Sequence, residues 1–394
     1  MRIEEVLHEA VRRQASDVII SACSPVTYHV FGVLERHDPP QPLSGDECQE
    51  LIYQMLTDGQ RREFEDEREL NLGFQFGDQV RFRVSVYRQR NTVAAVLRLI
   101  PMAIPRYDAI GLNERLLMQM ANCAGGMILV TGPTGAGKST TVASFLQHLN
   151  TEDDFPRHII TIEDPIEFVL ESQRCVIDQR EVGTDTRGFV RALKAALRQM
   201  PHFIFVGEMR DRETMEIALT AAETGNTIIS TLSTQSAAKT VNWIIDVFPI
   251  EDQPEVRARL ALTLKIIVSQ VLMRRTDRPG RIAAREIMLV NSSAANLIRE
   301  GKIHQLNNVI ASSIGEGMIL LDDALLELHG QGIVSTADVL ARLQDVEKVK
   351  RLRKSLEPPP AAEEKSGARR LLSRRKSPAE PSPEAAEPDP ETPA

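Results

Sequence analysis

The sequence predicts an α/β protein in which a small α/β domain is followed by a larger, doubly wound domain with a helical C-terminal region. From residue 113 onward, apolar runs of strand length alternate with amphipathic helical stretches, and 255–273 is predicted as one long helix. This alternation is typical of a mostly parallel sheet with helices on both faces. A glycine-rich segment, 132–140, lies between an apolar strand and a helix. In residues 1–100, short apolar runs with period-two alternation predict a sheet with one buried face.

Segment 132–140, GPTGAGKST, is a complete phosphate-binding loop, because G-x-x-x-x-G-K-[S/T] occurs here with the preceding strand and following helix that the motif requires. Its glycines let successive backbone N–H groups point at phosphate oxygens. Lys138 supplies a positive charge for the β- and γ-phosphates, and Ser139 supplies a hydroxyl for Mg²⁺. The residues predicted to bind the nucleotide are Gly132, Pro133, Thr134, Gly135, Ala136, Gly137, Lys138, Ser139 and Thr140.

Two further strands end in carboxylates that we predict to be catalytic together with Lys138. The apolar run 203–206 leads to Glu208, and the strand ITIED ends at Glu163. We expect the first of these strands to lie beside the phosphate loop and both glutamates to lie at the same edge of the sheet. One glutamate at a strand end is commonly a plain solvated residue, but two of them with a complete phosphate loop favour the polarisation of an attacking water. The division of roles between them stays open.

The composition is that of a globular protein without a general attraction to polyanions. The chain has 394 residues, of which 42% are hydrophobic and 26% charged, so it has room for two or three domains. The net charge of −8 argues against nucleic acid as a partner. No apolar run reaches the ~18 to 20 residues that span a bilayer and the first residues lack a secretion signal, so we expect a cytoplasmic protein. Its four cysteines form no C-x-x-C pair and are interpreted as free thiols.

Changes in composition divide the chain. We predict an N-terminal domain at 1–100, a proline-containing linker at 101–112 and the nucleotide-binding domain with its C-terminal helices at 113–357. The last segment, 358–394, is rich in proline and charge and has no sustained apolar period, so it should be disordered. Its basic centre, 368–377, is interpreted either as a contact for anionic lipid or an acidic partner, or as a solvated extension, which the composition favours.

Arginines cluster on the last strands of the N-terminal domain. Arg81 and Arg83 share one face of a strand by alternation, and Arg98 follows on the next apolar run. A solvated strand face with ordinary ion pairs explains such a cluster by itself. The alternative is that some of these arginines reach the nucleotide of a neighbouring subunit, because the guanidinium fork suits phosphate oxygens. The residues alone leave both interpretations open.

These motifs resemble those of the secretion-type ATPases and, within that family, of the type IV pilus retraction motors PilT and PilU. Segment 132–140 is similar to their Walker A motif, ITIEDPIEF (160–168) to their aspartate box, and 203–225 to their Walker B motif with its following helix. The resemblance extends from about residue 3 to about residue 350. It is expected to be closer to PilU, on the basis of RFRVSVYRQRN, QREVGTDTRGF, LALTLKIIVSQVL and the long end of the chain.

The resemblance implies a PAS-like N-terminal domain, a RecA-like ATPase domain, and ATP and Mg²⁺ as ligands. It implies a hexameric ring in which nucleotide lies between the N-terminal domain of one subunit and the RecA-like domain of the next, with Arg83 and Arg98 as inter-subunit arginines. The implied function is pilus retraction and twitching motility at the cytoplasmic side of the inner membrane. The implied partners are a paralogous retraction ATPase and the inner-membrane platform protein. Segment 292–306 is similar to one that retraction motors need, and the lack of a four-cysteine zinc insert favours retraction over assembly.

The sequence also departs from the family pattern. Asn226 and Ser233 stand where the family usually has histidines, and Met200, Pro201 and His202 stand where it usually has D-P-D. Neither an amide nor a hydroxyl side chain carries a charge near neutral pH. These departures support an alternative function, that of a nucleotide-binding regulatory subunit with weak or partner-dependent ATPase activity. A nucleic-acid translocase is a distant third interpretation, which the acidic charge disfavours.

Overall fold

Two β-sheets organise the chain. The computed structural model describes residues 1–30, 33–77, 80–100 and 103–356, and residues 1–349 form one compact unit that contains both sheets. Within these ranges, no helix combines the length and the apolar character needed to cross a membrane. The first two residues of the predicted linker and the whole tail predicted to be disordered, 358–394, lie outside the described residues.

The N-terminal sheet is antiparallel and has the strand order β3-β2-β1-β6-β5-β4. Its strands are β1 (Asp17–Ile20), β2 (Thr27–Val30), β3 (Val33–Arg36), β4 (Glu69–Phe76), β5 (Val80–Gln89) and β6 (Thr92–Ile100). Three helices complete its core, namely α1 (Ile3–Arg12), α2 (Gly45–Tyr53) and α3 (Asp58–Glu67). Along β5, Phe82, Val84 and Val86 are fully buried, whereas Arg81 and Arg83 lie on the opposite face. The predicted alternation is therefore confirmed.

The second sheet has the order β13-β12-β7-β11-β10-β8-β9, and all of its neighbouring strands are parallel except β12 and β13. Its strands are β7 (Gly126–Thr131), β8 (His158–Glu163), β9 (Val176–Glu181), β10 (Phe203–Glu208), β11 (Thr227–Leu232), β12 (Leu264–Arg274) and β13 (Arg281–Leu289). The helices are α4 (Glu114–Ala121), α5 (Lys138–Thr151), α6 (Phe189–Ala196), α7 (Arg212–Glu223), α8 (Ala237–Asp246), α9 (Gln253–Thr263), α10 (Ser292–Arg299), α11 (Leu306–Ser312), α12 (Leu321–Gly330), α13 (Thr336–Leu340) and α14 (Val346–Leu356).

Separate hydrophobic cores cover the two faces of this sheet. Residues of α4 and α5 pack against one face, and residues of α6 to α9 pack against the other. The strands between the two layers are buried on both sides, which explains why they appear in the sequence as continuous apolar runs. The predicted doubly wound fold is confirmed, and it brings the carboxyl ends of β7, β11, β10 and β8 to one edge.

The single helix predicted at 255–273 is wrong. Helix α9 ends at Thr263, and Leu264 takes an extended backbone conformation that begins the eleven-residue strand β12. The stretch is apolar over both halves, so the periodicity of its side chains does not distinguish a buried helix from a buried strand. Its second half contains the β-branched run Ile266, Ile267 and Val268, which favours a strand. The error matters because β12 lies directly beside β7, the strand that leads into the phosphate loop.

The core between α5 and the sheet gives a test of this packing. Phe145 of α5 is fully buried, and its ring lies 6.0 Å from that of Phe203 on β10 in an edge-to-face arrangement. We expect Phe145→Ala to lower the free energy of unfolding by about 3 to 5 kcal/mol, because it leaves a cavity. Phe155→Ala is the matched control, since Phe155 is 69% exposed and its loss should cost less than about 0.5 kcal/mol. Equal effects in denaturant titrations would contradict this packing.

Candidate nucleotide-binding site

The phosphate loop joins β7 to α5 with the backbone that its sequence predicts. Gly135 and Gly137 have φ angles of +80° and +84°, in the left-handed region that favours glycine. Helix α5 begins at Lys138, directly after Gly137. The tip of the loop, 133–135, is exposed, whereas Ala136 is buried. The loop thus curls in front of the N-terminus of α5, where unpaired backbone N–H groups suit an anion.

Lys138 folds back over the loop. Its Nζ donates to the carbonyl oxygens of Gly132, at 2.9 Å, and Pro133, at 3.2 Å. Burial lowers the pKa of Lys138, while the charges of Glu208 and Glu167 raise it. The ammonium group therefore lies between loop carbonyls and two carboxylates, in a position where phosphate oxygens can replace the carbonyls as its partners.

The residues near the loop fit a magnesium nucleotide. Ser139 and Thr140 follow Lys138 in the first turn of α5 and are half-buried. Glu208 is close enough for its charge to act on Lys138. Mg²⁺ prefers oxygen ligands and usually keeps several waters, with one or two protein oxygens and substrate phosphates completing its shell. The hydroxyl of Ser139 and the carboxylate of Glu208 are oxygens of this kind.

Glu163 ends β8 inside the protein, where it is only 7% exposed. Its Oε1 accepts hydrogen bonds from the Thr161 hydroxyl at 2.7 Å and from Gln179 Nε2 at 3.3 Å. Its Oε2 accepts from the backbone N–H of Glu167 at 3.4 Å. Burial outweighs these hydrogen bonds and raises the pKa of Glu163 to about 7. Glu163 is therefore a group that exchanges its proton near neutral pH.

Glu208 ends β10 in a different environment. Its side chain is 32% exposed, and its Oε2 accepts two hydrogen bonds from Arg210, at 2.9 and 2.7 Å. The pairing of β10 with β11 is irregular between Val206 and Glu208, which turns the end of the strand. Gly207 packs against Glu163, since a Cβ on this glycine would lie 3.4 Å from the Glu163 Cα. The two glutamates therefore end neighbouring strands.

The strand order corrects one expectation about these glutamates. Strand β10 does not lie beside β7, because β11 is inserted between them. Glu208 is thus two strands from the phosphate loop and Glu163 is three. The carboxyl end of β11 therefore separates the loop from the two carboxylates along this edge of the sheet. Spacing along the chain contains no information on this order.

Arg83 and Arg98 lie directly opposite each other on β5 and β6. Like charges in this position repel, and a carboxylate offsets each of them. Arg83 Nη1 lies 3.3 Å from Glu167 Oε1 of the nucleotide-binding part, and Arg98 Nε donates to Asp17 Oδ1 of its own sheet at 2.8 Å. Arg98 is 68% exposed. Their role between subunits stays a prediction.

The sequence analysis missed Glu181, which connects the two sheets. Glu181 lies at the end of β9 and is buried. It accepts hydrogen bonds from the backbone N–H of Gly73 on β4 at 3.2 Å, from the backbone N–H of Ile166 at 3.0 Å, and from Arg81. The segment QREVGTDTRGF contains this residue, but its resemblance to PilU assigned no contact to it, and the arginine face of β5 was the sequence signal for such a contact.

Gln270 and Thr141 were also missed, and both support the phosphate loop. Gln270 lies on β12 and is buried, with its Nε2 donating to the carbonyl of Ala136 at 2.7 Å. Thr141 Oγ1 donates to Gln270 Oε1 at 3.0 Å. Gln270 was missed because 255–273 was predicted as one helix, and a helix would not place this residue beside β7.

The residues that depart from the family pattern lie in different places. Asn226 comes before the amino end of β11, where its Nδ2 donates to the Ala221 carbonyl at 3.2 Å. Ser233 follows the carboxyl end of β11 and is exposed. His202 precedes β10, and its Nδ1 accepts from the backbone N–H of His158 at 3.0 Å. Among these three, Ser233 alone lies at the edge of the sheet that carries the phosphate loop.

The burial of Glu163 predicts a pH-dependent stability. Between pH 4.5 and about 7 the unfolded chain releases the proton of this carboxyl group while the folded protein retains it, so stability falls as pH rises. We expect Glu163→Gln to remove this pH-dependent loss. As the pH rises from 4.5 to 8, the free energy of unfolding of the variant should gain on the order of 3 kcal/mol relative to that of the wild type. Thermal unfolding of both proteins across this range measures the difference. A difference that stays constant with pH would contradict the buried carboxyl group.

Known proteins resemble this chain over most of its length. The family model described as type II/IV secretion system protein matches residues 1–341. The type IV pilus retractation ATPase PilT of Pseudomonas aeruginosa is 43% identical over 335 residues, which are 85% of this chain and 96% of that protein. The type IV pilus ATPase PilU of the same organism is 39% identical over 343 residues, which are 86% of this chain and 88% of that protein. The crystal structure of the pilus retraction motor PilT with bound ADP matches with a TM-score of 0.81 at 38% identity, over 89% of this chain and 99% of that one.

These matches confirm the resemblance to retraction ATPases and the fold of an N-terminal domain followed by a RecA-like ATPase domain. The identity to PilT, 43%, is higher than the identity to PilU, 39%, so identity does not support the expected closer relation to PilU. The matched residues include the phosphate loop, Glu163 and Glu208. The chain belongs to the type II/IV secretion system protein family and, within it, to the PilT- and PilU-type retraction ATPases.

Proposed function

We propose that this protein is an ATP-hydrolysing motor, or accessory motor, for type IV pilus retraction and twitching motility. The observation that carries the proposal is the edge of the second sheet, where the complete phosphate loop with Lys138 lies across from Glu163 and Glu208. Loop, lysine and carboxylates together form the minimum set for phosphoryl transfer to water. The family to which the chain belongs supplies the type of machine.

The chemistry follows from the positions of these groups. Lys138 and the loop N–H groups are placed to hold the β- and γ-phosphates. Ser139 and Glu208 would hold Mg²⁺, which would neutralise charge that develops on the phosphates. Glu208 and Glu163 share the polarising of the attacking water. Glu163 is suited to accept a proton, since burial raises its pKa to about 7. Thr161 and Gln179 keep its carboxyl group oriented.

The assembly we propose is a homo-hexamer with nucleotide between subunits. Residues 1–100 of one subunit cover the phosphate loop of the next, and Arg83 and Arg98 complete the site as phosphate ligands. The linker 101–112 then separates this domain from the ATPase domain 113–357. In this assembly the protein works in the cytoplasm, at the inner membrane, with a paralogous retraction ATPase and the platform protein. The net charge of −8 favours these partners over nucleic acid.

One set of observations favours the alternative function, a nucleotide-binding regulatory subunit with weak or partner-dependent ATPase activity. Ser233 lies at the same edge of the sheet as the phosphate loop and offers a hydroxyl in place of an imidazole. It cannot carry a positive charge toward the γ-phosphate. The steady-state ATPase rate of the protein alone, and mixed with a paralogous motor, separates the two functions. A rate that appears only in the mixture supports the regulatory subunit.

Glu208→Gln tests the catalytic assignment. The variant keeps the loop and Lys138, so we expect it to bind nucleotide with nearly the wild-type affinity. Its hydrolysis rate should fall by about a hundredfold or more, because the carboxylate that polarises the water is lost. Lys138→Ala serves as the blank that neither binds tightly nor hydrolyses. Wild-type turnover by Glu208→Gln would refute the role of this residue.

Mixing of two inactive variants tests the inter-subunit arginines. Arg98→Ala subunits keep an intact ATPase domain, and Lys138→Ala subunits keep an intact Arg98. If Arg98 acts on the neighbour's nucleotide, mixed rings contain some complete sites, and the mixture should regain a measurable fraction of the wild-type ATPase rate. A mixture of Lys138→Ala with Glu208→Gln is the matched control, because both defects lie in one subunit's ATPase domain and should regain nothing. No gain in either mixture would contradict the proposed position of Arg98.

A further inference from the structure

The phosphate loop rests on the side chain of Gln270. This residue is 2% exposed, and its amide group bridges two parts of the nucleotide site. Nε2 donates to the carbonyl of Ala136 in the loop at 2.7 Å, and Oε1 accepts from the hydroxyl of Thr141 in the first turn of α5 at 3.0 Å. One side chain from β12 thus holds the loop and the helix that follows it.

The bridge meets a requirement of any phosphate-binding loop. Backbone N–H groups can point inward at phosphate only if the carbonyl oxygens of the same peptides point outward. An outward carbonyl that is buried needs a donor, since an unsatisfied carbonyl costs free energy. The Ala136 carbonyl finds this donor in Gln270, and the peptide that it belongs to carries the N–H of Gly137. The Gln270 amide therefore sets the direction of one N–H in the phosphate cradle.

The backbone of Gln270 also fixes the start of the loop. A Cβ on Gly132 would lie 2.3 Å from the Gln270 carbonyl oxygen, so the loop begins in direct contact with β12. At the other end of the loop, a Cβ on Gly137 would lie 3.4 Å from Gln270 Nε2. Both glycines are packed against the same residue, which therefore limits where the loop can move.

Arg285, on the neighbouring strand β13, connects Gln270 and Thr141 to the segment before α4. It pairs with Gln270 across β12 and β13, and its guanidinium donates to the carbonyls of Gly111 at 2.8 Å and Ile110 at 3.0 Å. Its Nη2 also lies 3.5 Å from the Thr141 hydroxyl. Burial lowers the pKa of Arg285 to about 10, so the group remains charged at neutral pH. Hydrogen bonds thus connect the phosphate loop, through Gln270, Thr141 and Arg285, to the backbone that precedes the ATPase domain.

We propose that Gln270 is a positioning residue for nucleotide binding, which acts through Ala136 and Thr141 to orient the phosphate loop. The inference rests on the proposed nucleotide-hydrolysing function. Gln270 would act through these two contacts and not as a ligand of the nucleotide itself. Its removal leaves Lys138, Glu163 and Glu208 in the protein but frees the peptide between Ala136 and Gly137, so affinity for nucleotide falls.

Gln270→Met tests the inference, because it keeps the length of the side chain and removes both hydrogen bonds. We expect the Kd for ADP with Mg²⁺, measured by calorimetry on the full chain, to rise about tenfold. Ser269→Ala is the matched control. It removes the buried hydrogen bond between the hydroxyls of Ser269, on the same strand, and Thr131, at 2.7 Å, without touching the loop carbonyl. The control should keep its Kd within about twofold of wild type even where its melting temperature falls as far as that of Gln270→Met.

Thr141→Val provides a second variant of nearly unchanged shape, should Gln270→Met fold poorly. It removes only the hydroxyl that donates to Gln270, so we expect a threefold or greater rise in Kd. The double variant should then bind no worse than Gln270→Met alone, because both changes break the same bridge. Wild-type affinity for ADP in Gln270→Met or Thr141→Val would overturn the inference, and so would a loss of affinity in Ser269→Ala equal to that in Gln270→Met. In either case, ADP binding by the wild-type protein would still support the proposed function. Failure of the wild-type protein to bind ADP would overturn both.

Discussion

The phosphate loop imposes the constraint on which the rest of the structure depends. Its N–H groups must face the phosphates, so the surrounding protein must support its backbone from behind. Strand β12 does this through Gln270, whose backbone touches Gly132 and whose side chain binds Ala136. On the other side of β7, beyond β11, strands β10 and β8 carry the carboxylates. The position of β7 inside the sheet therefore determines both the support of the loop and the groups that face it.

The two glutamates at the strand ends, Glu163 and Glu208, differ because their surroundings differ. Glu163 is enclosed, and burial raises its pKa to about 7 although three hydrogen bonds oppose the shift. Glu208 is partly exposed and is paired with Arg210. Two carboxyl groups in unlike environments are a common basis for dividing acid and base roles at one site. The loop that follows β8 adds Glu167, whose backbone N–H binds Glu163 and whose side chain faces Arg83. Arg83 of the N-terminal sheet is therefore linked to the Glu163 carboxyl group through one residue, Glu167.

Much of the fold could be predicted from local patterns. The continuous apolar strands of the second sheet, the amphipathic helices and the alternation on β5 all reflect the immediate surroundings of each segment. The failure at 255–273 shows the limit of this approach. A segment that is buried on all sides is apolar throughout, so periodicity does not distinguish α9 from β12. The neighbour of β12 in space, β7, is more than 130 residues away in the chain.

The sequence by itself determined which residues are candidates to bind and hydrolyse nucleotide, because a phosphate loop and acidic strand ends require particular residue types at short spacing. It identified Lys138, Ser139, Glu163 and Glu208 without any coordinates. Only the tertiary structure decided how these groups are arranged and what tunes them. It inserted β11 between loop and carboxylates, buried Glu163, and placed Gln270 under a loop 134 residues earlier in the chain. Burial and long-range hydrogen bonds depend on which segments are neighbours in space, and the spacing of residues along the chain does not show which segments these are.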